Sequence, residues 1–135
     1  MEVRMGKILA LAQIEKGFQT EVRVRNHRII ADLTPDKGGE DRGPTPPEIL
    51  VVALAACSAM FAKMFADRVG FSGPITVETE AETPEPPTIV QNFRVRVSLP
   101  GLPKEEREKA KAFVERCVVS QTLSVANRVD LTIET

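Results

Sequence analysis

The sequence predicts an α+β fold with the element order β-β-β-α-β-β-α-α-β. Three observations predict it: a long apolar helical segment at residues 45–70, three short strand-like segments before it, and a mixture of strand-like and helical segments after it. The length of 135 residues is typical of one domain, which we expect to span residues 1–135. Two antiparallel strand groups would then surround a long buried central helix.

The first strand group is predicted at residues 7–14, 18–25 and 28–33. In the second segment Val22 and Val24 alternate with Arg23 and Arg25, which is the period of a half-buried strand. Short polar turns separate the segments, so we expect an antiparallel meander. Residues 34–44 form a loop with adjacent glycines and two prolines, and this loop leads directly into the long helix.

The helix has recognisable signals at both ends. Thr45 is a suitable N-cap, Pro46 suits the first helical position, and Glu48 completes a Thr-x-x-Glu capping box. Gly70 is placed for a left-handed C-cap. Between residues 49 and 62 the only residue that is not apolar is Ser58.

A helix that is apolar on all sides is either a core helix or a membrane span. The uninterrupted apolar run is shorter than the ~18 residues that a span needs, and it closes with Lys63, Asp67 and Arg68. We therefore interpret it as a buried central helix. One small sheet cannot cover every side of such a helix, so we expect a homodimer that buries the central helices of both chains together.

The chain after the helix completes the predicted fold. Residues 75–82 and 91–99 alternate as strands, and Arg94 and Arg96 are expected to face a row of glutamates across the hairpin. A helix starting at Pro103 would carry Cys117 on its buried stripe, near its C-terminus. Ser120 is expected to cap a short helix over residues 121–126, and residues 129–133 alternate as a last strand.

Composition excludes several function classes. The net charge is −1 and 27% of residues are charged, without the basic excess of a nucleic-acid-binding protein. The N-terminal residues lack the apolar region of a signal peptide, so we expect a cytoplasmic protein with reduced thiols. Two cysteines and one histidine, far apart in sequence, fall short of a structural zinc site. We expect no metal, no cofactor and no membrane partner.

Cys57 and Cys117 are the only cysteines, and two interpretations are open for them. Each can be a small buried hydrophobic residue, as free cysteines often are. Alternatively, both lie on apolar helix stripes and could face each other. A thiolate of such a pair can attack the O–O bond of a peroxide, and the second thiol can condense with the resulting sulfenic acid to form a disulfide.

Two segments resemble one known family. GGEDRGPTPPEILVVALAACSAM at residues 38–60 and CVVSQTLSVANRVDLTIE at residues 117–134 are similar to motifs of the OsmC/Ohr family of osmotically induced and organic-hydroperoxide-resistance proteins. The resemblance implies an interlocked homodimer with two active sites at the subunit interface. It also implies reduction of organic hydroperoxides, with Cys57 as peroxidatic cysteine, Cys117 as resolving cysteine, and an external dithiol as reductant.

Departures from the family pattern place the sequence near the less characterised OsmC-like branch. Pro47 stands where the best-studied members have a catalytic carboxylate, and Glu48 is better explained as a helix cap. Val118 follows Cys117 where the family usually has proline. The arginine that assists the thiol is expected to be Arg42 in the preceding loop. The other candidates are Arg23, Arg25 and Arg28 in the N-terminal strands.

Two further function classes stay open on the sequence. One is a non-catalytic dimeric module that binds a small apolar ligand, with the cysteines as packing residues. The other is a redox sensor, in which a disulfide changes the interaction with a partner. The thiol peroxidase is the favoured hypothesis because the resemblance covers both cysteines, although the sequence identifies neither the hydroperoxide nor the reductant.

Overall fold

A computed structural model describes residues 6–86 and 88–135. In this part of the chain the regular elements follow the order of the sequence prediction as far as the last helix. They are β1 (Ala10–Ile14), β2 (Thr20–Val24), β3 (His27–Ala31), α1 (Pro46–Val69), β4 (Thr76–Glu82), β5 (Gln91–Ser98), α2 (Arg107–Val114) and α3 (Val118–Leu123). The α+β fold, with antiparallel strand groups and one long helix, is thereby confirmed. The chain divides into two compact units, one running to Ile49 and the other starting at Leu50.

In the first unit, β1, β2 and β3 form an antiparallel sheet in that order. Val22 lies opposite Ala12 on one side and Ile29 on the other, so the apolar positions of the three strands share a face. The predicted meander is confirmed. Its last strand leads to Asp32, whose buried carboxylate organises the loop that follows.

Both predicted ends of α1 are confirmed. The backbone N–H of Thr45 donates to the Glu48 carboxylate at 2.8 Å, and the backbone N–H of Glu48 donates to Oγ1 of Thr45 at 3.3 Å. These two bonds form a capping box, which pairs amides that the helix itself leaves without partners. At the other end Gly70 has a φ of 72°, and the N–H of Phe71 donates to the carbonyl of Ala66 at 2.8 Å. This is a Schellman cap.

The capping box predicts a stability effect. Thr45→Ala removes the side-chain acceptor and is expected to lower the free energy of unfolding by about 1 kcal/mol, which is typical for the loss of a threonine N-cap. Glu48→Gln is the control, because glutamine can make the same bond back to the Thr45 amide. Urea unfolding followed by circular dichroism measures both variants. Equal stabilities of Thr45→Ala and the parent protein would contradict the assignment.

In the single chain, α1 is buried on one face only. The buried residues are Leu54, Ser58, Ala62, Phe65 and Ala66. A second stripe, at every fourth position, is apolar and exposed; we call it the exposed stripe and define it as Val52, Ala56, Met60 and Met64. By length and composition alone, this 24-residue helix is apolar enough to cross a membrane. The sequence predicted that all sides of this helix are buried. In the single chain only one side is buried, and burial of the other side would require a further surface.

The second unit contains the hairpin of β4 and β5. Glu80 lies opposite Arg94 and Glu78 opposite Arg96, with ion pairs of 3.7 Å and 3.8 Å. The predicted cross-strand charge pairing is confirmed. The charged groups are mostly exposed, so each pair contributes little to stability, about 0–1 kcal/mol.

The helices after the hairpin differ from the prediction around Cys117. α2 ends at Val114, so Cys117 does not lie on its stripe. The N–H of Cys117 instead donates to the Val114 carbonyl at 2.9 Å, and Cys117 then turns to ψ 131° as the N-cap residue of α3. α3 consequently starts at Val118, three residues before the predicted start at Gln121. The prediction was wrong here because the helical period of the sequence continues through a break in the backbone.

The predicted last strand at residues 129–133 is not formed. Val129, Leu131 and Ile133 are 90%, 85% and 78% exposed, and no described strand of the chain is hydrogen-bonded to this segment. A strand needs a partner for its backbone N–H and C=O groups, so alternation of apolar and polar residues alone does not create one.

Candidate active site

The two cysteines lie close together in the second unit. Cys57 is in the middle of α1, Cys117 precedes the first turn of α3, and the two side chains are close enough for each to affect the ionisation of the other. Both are free thiols. Cys117 has no exposed surface, whereas Cys57 is half-buried. Of the two, Cys57 is therefore the one that a molecule from solution can reach in this chain.

Aromatic packing fixes the position of Cys117 relative to α1. Phe113 on α2 lies against Phe61 and Phe65 of α1, with ring centroids 5.8 Å and 5.9 Å apart. The Arg68 guanidinium lies 4.7 Å from the centroid of the Phe113 ring, and that of Arg116 lies 5.4 Å away. Such contacts add to the hydrophobic burial of the ring. They hold the end of α2 against α1, and Cys117 comes only a few residues later.

The surroundings of the two sulfur atoms differ. Burial, followed by the hydrogen bond with Cys117, raises the pKa of the Cys57 thiol. Burial also opposes ionisation of Cys117, but hydrogen bonds outweigh it and lower the pKa of that thiol. Their donors are the Cys57 thiol, the backbone N–H groups of Ser120 and Val119, and the Ser58 hydroxyl. The Cys117 thiol is therefore the more acidic of the two.

A cavity of about 830 Å³ lies in the second unit, and neither cysteine is among its lining residues. Ser58 and Ser120, each close in sequence to one of the cysteines, form part of its wall, and Val95 and Val97 of β5 form another part. The lining also includes charged side chains: Lys104, Arg107, Lys111 and Glu115. Its volume falls in the range of sites for small organic molecules, and its mixed lining suits a molecule with an apolar body.

Arg42 belongs to a loop of the first unit that a buried carboxylate organises. Asp32 is 2% exposed and accepts hydrogen bonds from the backbone N–H groups of Leu33, Glu40 and Arg42, at 2.7, 3.3 and 3.1 Å. Burial opposes its ionisation, but these bonds prevail and lower the pKa of Asp32. Gly39 is required there, because a Cβ atom would lie 2.0 Å from the Leu33 carbonyl oxygen. The Arg42 guanidinium is 3.6 Å from the Glu40 carboxylate and largely exposed.

The other arginine candidates lie on the meander sheet of the first unit. Arg23 and Arg28 both pair with Glu21, at 2.7 Å and 3.2 Å, and Arg25 occupies the turn after β2 with a φ of 52°. The choice of Arg42 over these residues stays a prediction. Within residues 6–86 and 88–135, no three or more His, Cys, Asp and Glu side chains are grouped so as to hold a metal ion.

Sequence reasoning missed two residues of these regions. Ser58 is noticeable in the sequence because it is the one polar residue in the apolar run. The sequence does not show whether its side chain points into the core or toward solvent. The structure turns it inward with Leu54 and Ala62, and it is 2% exposed. Asp32 gave no signal, because a carboxylate after a strand is usually a surface residue. Only the folded loop brings three amides to it.

A comparison with known protein families covers most of the chain, including Cys57 and Cys117. The family model described as OsmC-like protein matches residues 38–134. The chain belongs to the OsmC-like protein family. Its long apolar helix accordingly belongs to a soluble fold, in which it is interpreted as a core helix. No functionally curated protein matches the sequence.

Solved structures share the OsmC-like fold at low sequence identity. A Psychrobacter arcticus protein, named for osmotic stress induction and detoxification, is 17% identical with a TM-score of 0.77, over 88% of this chain and 90% of that one. An organic hydroperoxide resistance protein OsmC from Legionella pneumophila is 20% identical, with a TM-score of 0.60 over 90% and 91%. An organic hydroperoxide resistance protein from Elizabethkingia anophelis is 18% identical, with a TM-score of 0.58 over 88% and 89%. These likenesses establish the fold.

Proposed function

We propose that this OsmC-like protein is a thiol-dependent peroxidase that reduces organic hydroperoxides, with Cys57 as peroxidatic and Cys117 as resolving cysteine. The closeness of the two thiols carries the proposal, because the reaction needs a nucleophilic thiol and a second thiol that can reach it. The family and its hydroperoxide-resistance relatives support a redox or peroxide-stress role. The half-exposed position of Cys57 supports its choice as the first nucleophile.

The first step forms a sulfenic acid. Cys57 gives up its proton, and the Cys57 thiolate attacks the terminal O–H oxygen of the hydroperoxide. The S–O bond forms as the O–O bond breaks. The electron pair of the O–O bond leaves with the alkoxide, which takes up a proton and departs as an alcohol. The sulfur has then been oxidised by two electrons.

The second step forms the disulfide. The Cys117 thiolate attacks the Cys57 sulfenic sulfur, and hydroxide leaves and is protonated to water. An external dithiol supplies two electrons to reopen the bond and becomes a disulfide itself. No cofactor is needed. The natural setting of such a cycle is the cytoplasm, where dithiol reductants are maintained.

Arg42 is proposed as the cation that assists Cys57, since a guanidinium near a thiol favours the thiolate. Arg42→Ala is expected to slow oxidation of Cys57 about tenfold or more, as is usual when a charge-stabilising donor is lost. Stopped-flow measurement of sulfenic acid formation tests this. Arg23→Ala is the matched control. If Arg42→Ala reacted at the parent rate and Arg23→Ala reacted slowly, the guanidinium that assists Cys57 would belong to Arg23 on the meander sheet.

We further propose a homodimer with its active sites at the subunit interface. The exposed stripe of α1 supports this, since it places two methionines and a valine in solvent along one helix face. The unpaired segment at residues 129–133 gives further support, because its alternating apolar side chains and free backbone groups fit the edge of a sheet in a second copy.

The cavity favours one alternative function, a non-catalytic module that binds a small apolar ligand. Steady-state assay with cumene hydroperoxide and dithiothreitol separates the possibilities. Repeated turnover supports the peroxidase. Oxidation of the thiols with no turnover supports a redox sensor, and thiols that stay reduced support the ligand-binding module.

A further inference from the structure

The loop before α1 is closed onto the end of β3 by one buried carboxylate. Oδ1 of Asp32 accepts a hydrogen bond from the N–H of Leu33 at 2.7 Å. Oδ2 accepts two, from the N–H groups of Glu40 and Arg42, at 3.3 Å and 3.1 Å. The N–H of Asp41, between them, donates to the Leu33 carbonyl at 3.0 Å. Three consecutive amides of the loop are therefore held by two consecutive residues.

The backbone on both sides of Arg42 has little freedom. Asp41 has a φ of 55°, a left-handed conformation that is costly for a residue other than glycine and persists only where neighbouring contacts impose it. A Cβ atom at Gly43 would lie 2.2 Å from the Ile30 carbonyl oxygen, so the chain also passes tightly against β3 after Arg42. The Cα atom of Arg42 is thereby fixed relative to the meander sheet.

The Arg42 side chain, in contrast, is held only loosely. It is 65% exposed, and its guanidinium lies 3.6 Å from the carboxylate of Glu40, whose side chain is 73% exposed. An ion pair between such exposed groups is weak, so the guanidinium can exchange it for another anion. Asp32 therefore fixes the point from which the Arg42 side chain starts and leaves the guanidinium able to turn.

We propose that Asp32 is a positioning residue for Arg42, because it holds the amides of residues 40 and 42 and so keeps the guanidinium at one starting point for its action on Cys57. The inference rests on the proposed role of Arg42 in the peroxidase, and Asp32 itself touches no reacting atom. A group held in place beforehand acts at a lower entropic cost than one that must first be ordered. A purely structural Asp32 would stabilise the loop without changing the charge that Cys57 experiences.

The first experiment measures the backbone of the loop. Asp32→Asn keeps the size of the side chain but replaces one oxygen with an NH2 group, which cannot accept a hydrogen bond. Amide hydrogen exchange at Glu40 and Arg42, followed by NMR, is expected to be about tenfold faster, the effect of losing one hydrogen bond to a charged group. Glu40→Gln is the matched control, because it removes the ion pair with Arg42 and keeps the amide bond to Asp32. Its exchange should match that of the parent.

The second experiment measures the charge beside Cys57. Iodoacetate and iodoacetamide both alkylate the thiolate, so the ratio of their rates does not depend on the pKa of the thiol and reports the local charge. A nearby guanidinium attracts the anionic reagent, and we expect the ratio of iodoacetate to iodoacetamide rates to fall roughly threefold in Asp32→Asn and in Arg42→Ala. Glu40→Gln should keep the parent ratio or raise it. Mass spectrometry of the alkylated peptides distinguishes Cys57 from the buried Cys117.

A double variant decides whether Asp32 acts through Arg42. If it does, adding Asp32→Asn to Arg42→Ala lowers the alkylation ratio no further. An additional fall would mean that Asp32 affects Cys57 by another route, and it would overturn the inference. Thermal unfolding of each variant identifies loss of structure. Arg42→Ala changes an exposed side chain, so it tests the inference even if Asp32→Asn fails to fold, and an unchanged ratio in Arg42→Ala overturns it.

The outcomes separate this inference from the peroxidase proposal. In a folded Asp32→Asn protein, unchanged amide exchange or an unchanged alkylation ratio overturns the role of Asp32, even if the parent turns over hydroperoxide. Faster exchange together with a lower ratio supports that role, even if the parent consumes no hydroperoxide.

Discussion

Cys57→Ser is expected to abolish hydroperoxide consumption, reducing the rate to that of buffer. A serine hydroxyl is a far weaker nucleophile than a thiolate, and no base in the site is strong enough to ionise it. Cys117 cannot take over, because its sulfur is fully buried in the chain. The measurement is loss of cumene hydroperoxide in the presence of dithiothreitol, followed with a ferrous-ion dye. Consumption by Cys57→Ser at the parent rate would reject Cys57 as the nucleophile.

Cys117→Ser is the matched control, because it makes the same change at the other cysteine. It is expected to consume about one equivalent of hydroperoxide per chain and then stall as a sulfenic acid, which further peroxide oxidises. A dimedone adduct on Cys57 would identify that sulfenic acid. If instead Cys117→Ser were inert and Cys57→Ser reactive, the two roles would be exchanged.

Met60→Glu is expected to dissociate the proposed homodimer. Met60 is 63% exposed in the single chain and lies in the middle of the exposed stripe, so a carboxylate there would be buried without a partner in a helix-to-helix interface. Sedimentation at micromolar concentration should give the parent about twice the chain mass of 14.8 kDa. The variant should sediment as a monomer or lose its fold, because an obligate dimer has no stable separate chain.

Ser72→Glu serves as the control for added charge, since it lies outside the exposed stripe and is itself exposed. It should leave the sedimentation of the parent unchanged. A parent that sediments as a well-folded monomer would remove the argument for an interface site. In that case the exposed stripe would need another explanation.

The predictable part of the fold is the part set by local sequence. The capping box of Thr45 and Glu48 and the C-cap at Gly70 depend on contacts within a few residues, so the sequence shows them directly. The hairpin register that pairs Glu80 with Arg94 follows from strict alternation on both strands. These elements were predicted with nearly the right bounds.

The unpredictable part depends on contacts distant in the chain or on details of one backbone turn. The apolar spacing of the sequence continues through Cys117, although the helical backbone is interrupted there. The pattern therefore gave no sign that Cys117 precedes α3 as its N-cap residue. Residues 129–133 have the alternation of a strand, but only a partner strand can satisfy their backbone.

The most direct test of the central claim is a peptide map of the parent protein after treatment with one equivalent of cumene hydroperoxide. The account predicts that both free thiols disappear and that one intramolecular disulfide joins Cys57 to Cys117, reversed by dithiothreitol. The disulfide requires Cα atoms about 4.4–6.8 Å apart, so the two cysteines must lie, or come to lie, within that separation. Thiols that stay reduced, or an oxidised Cys57 beside an untouched Cys117, would contradict the two-cysteine cycle.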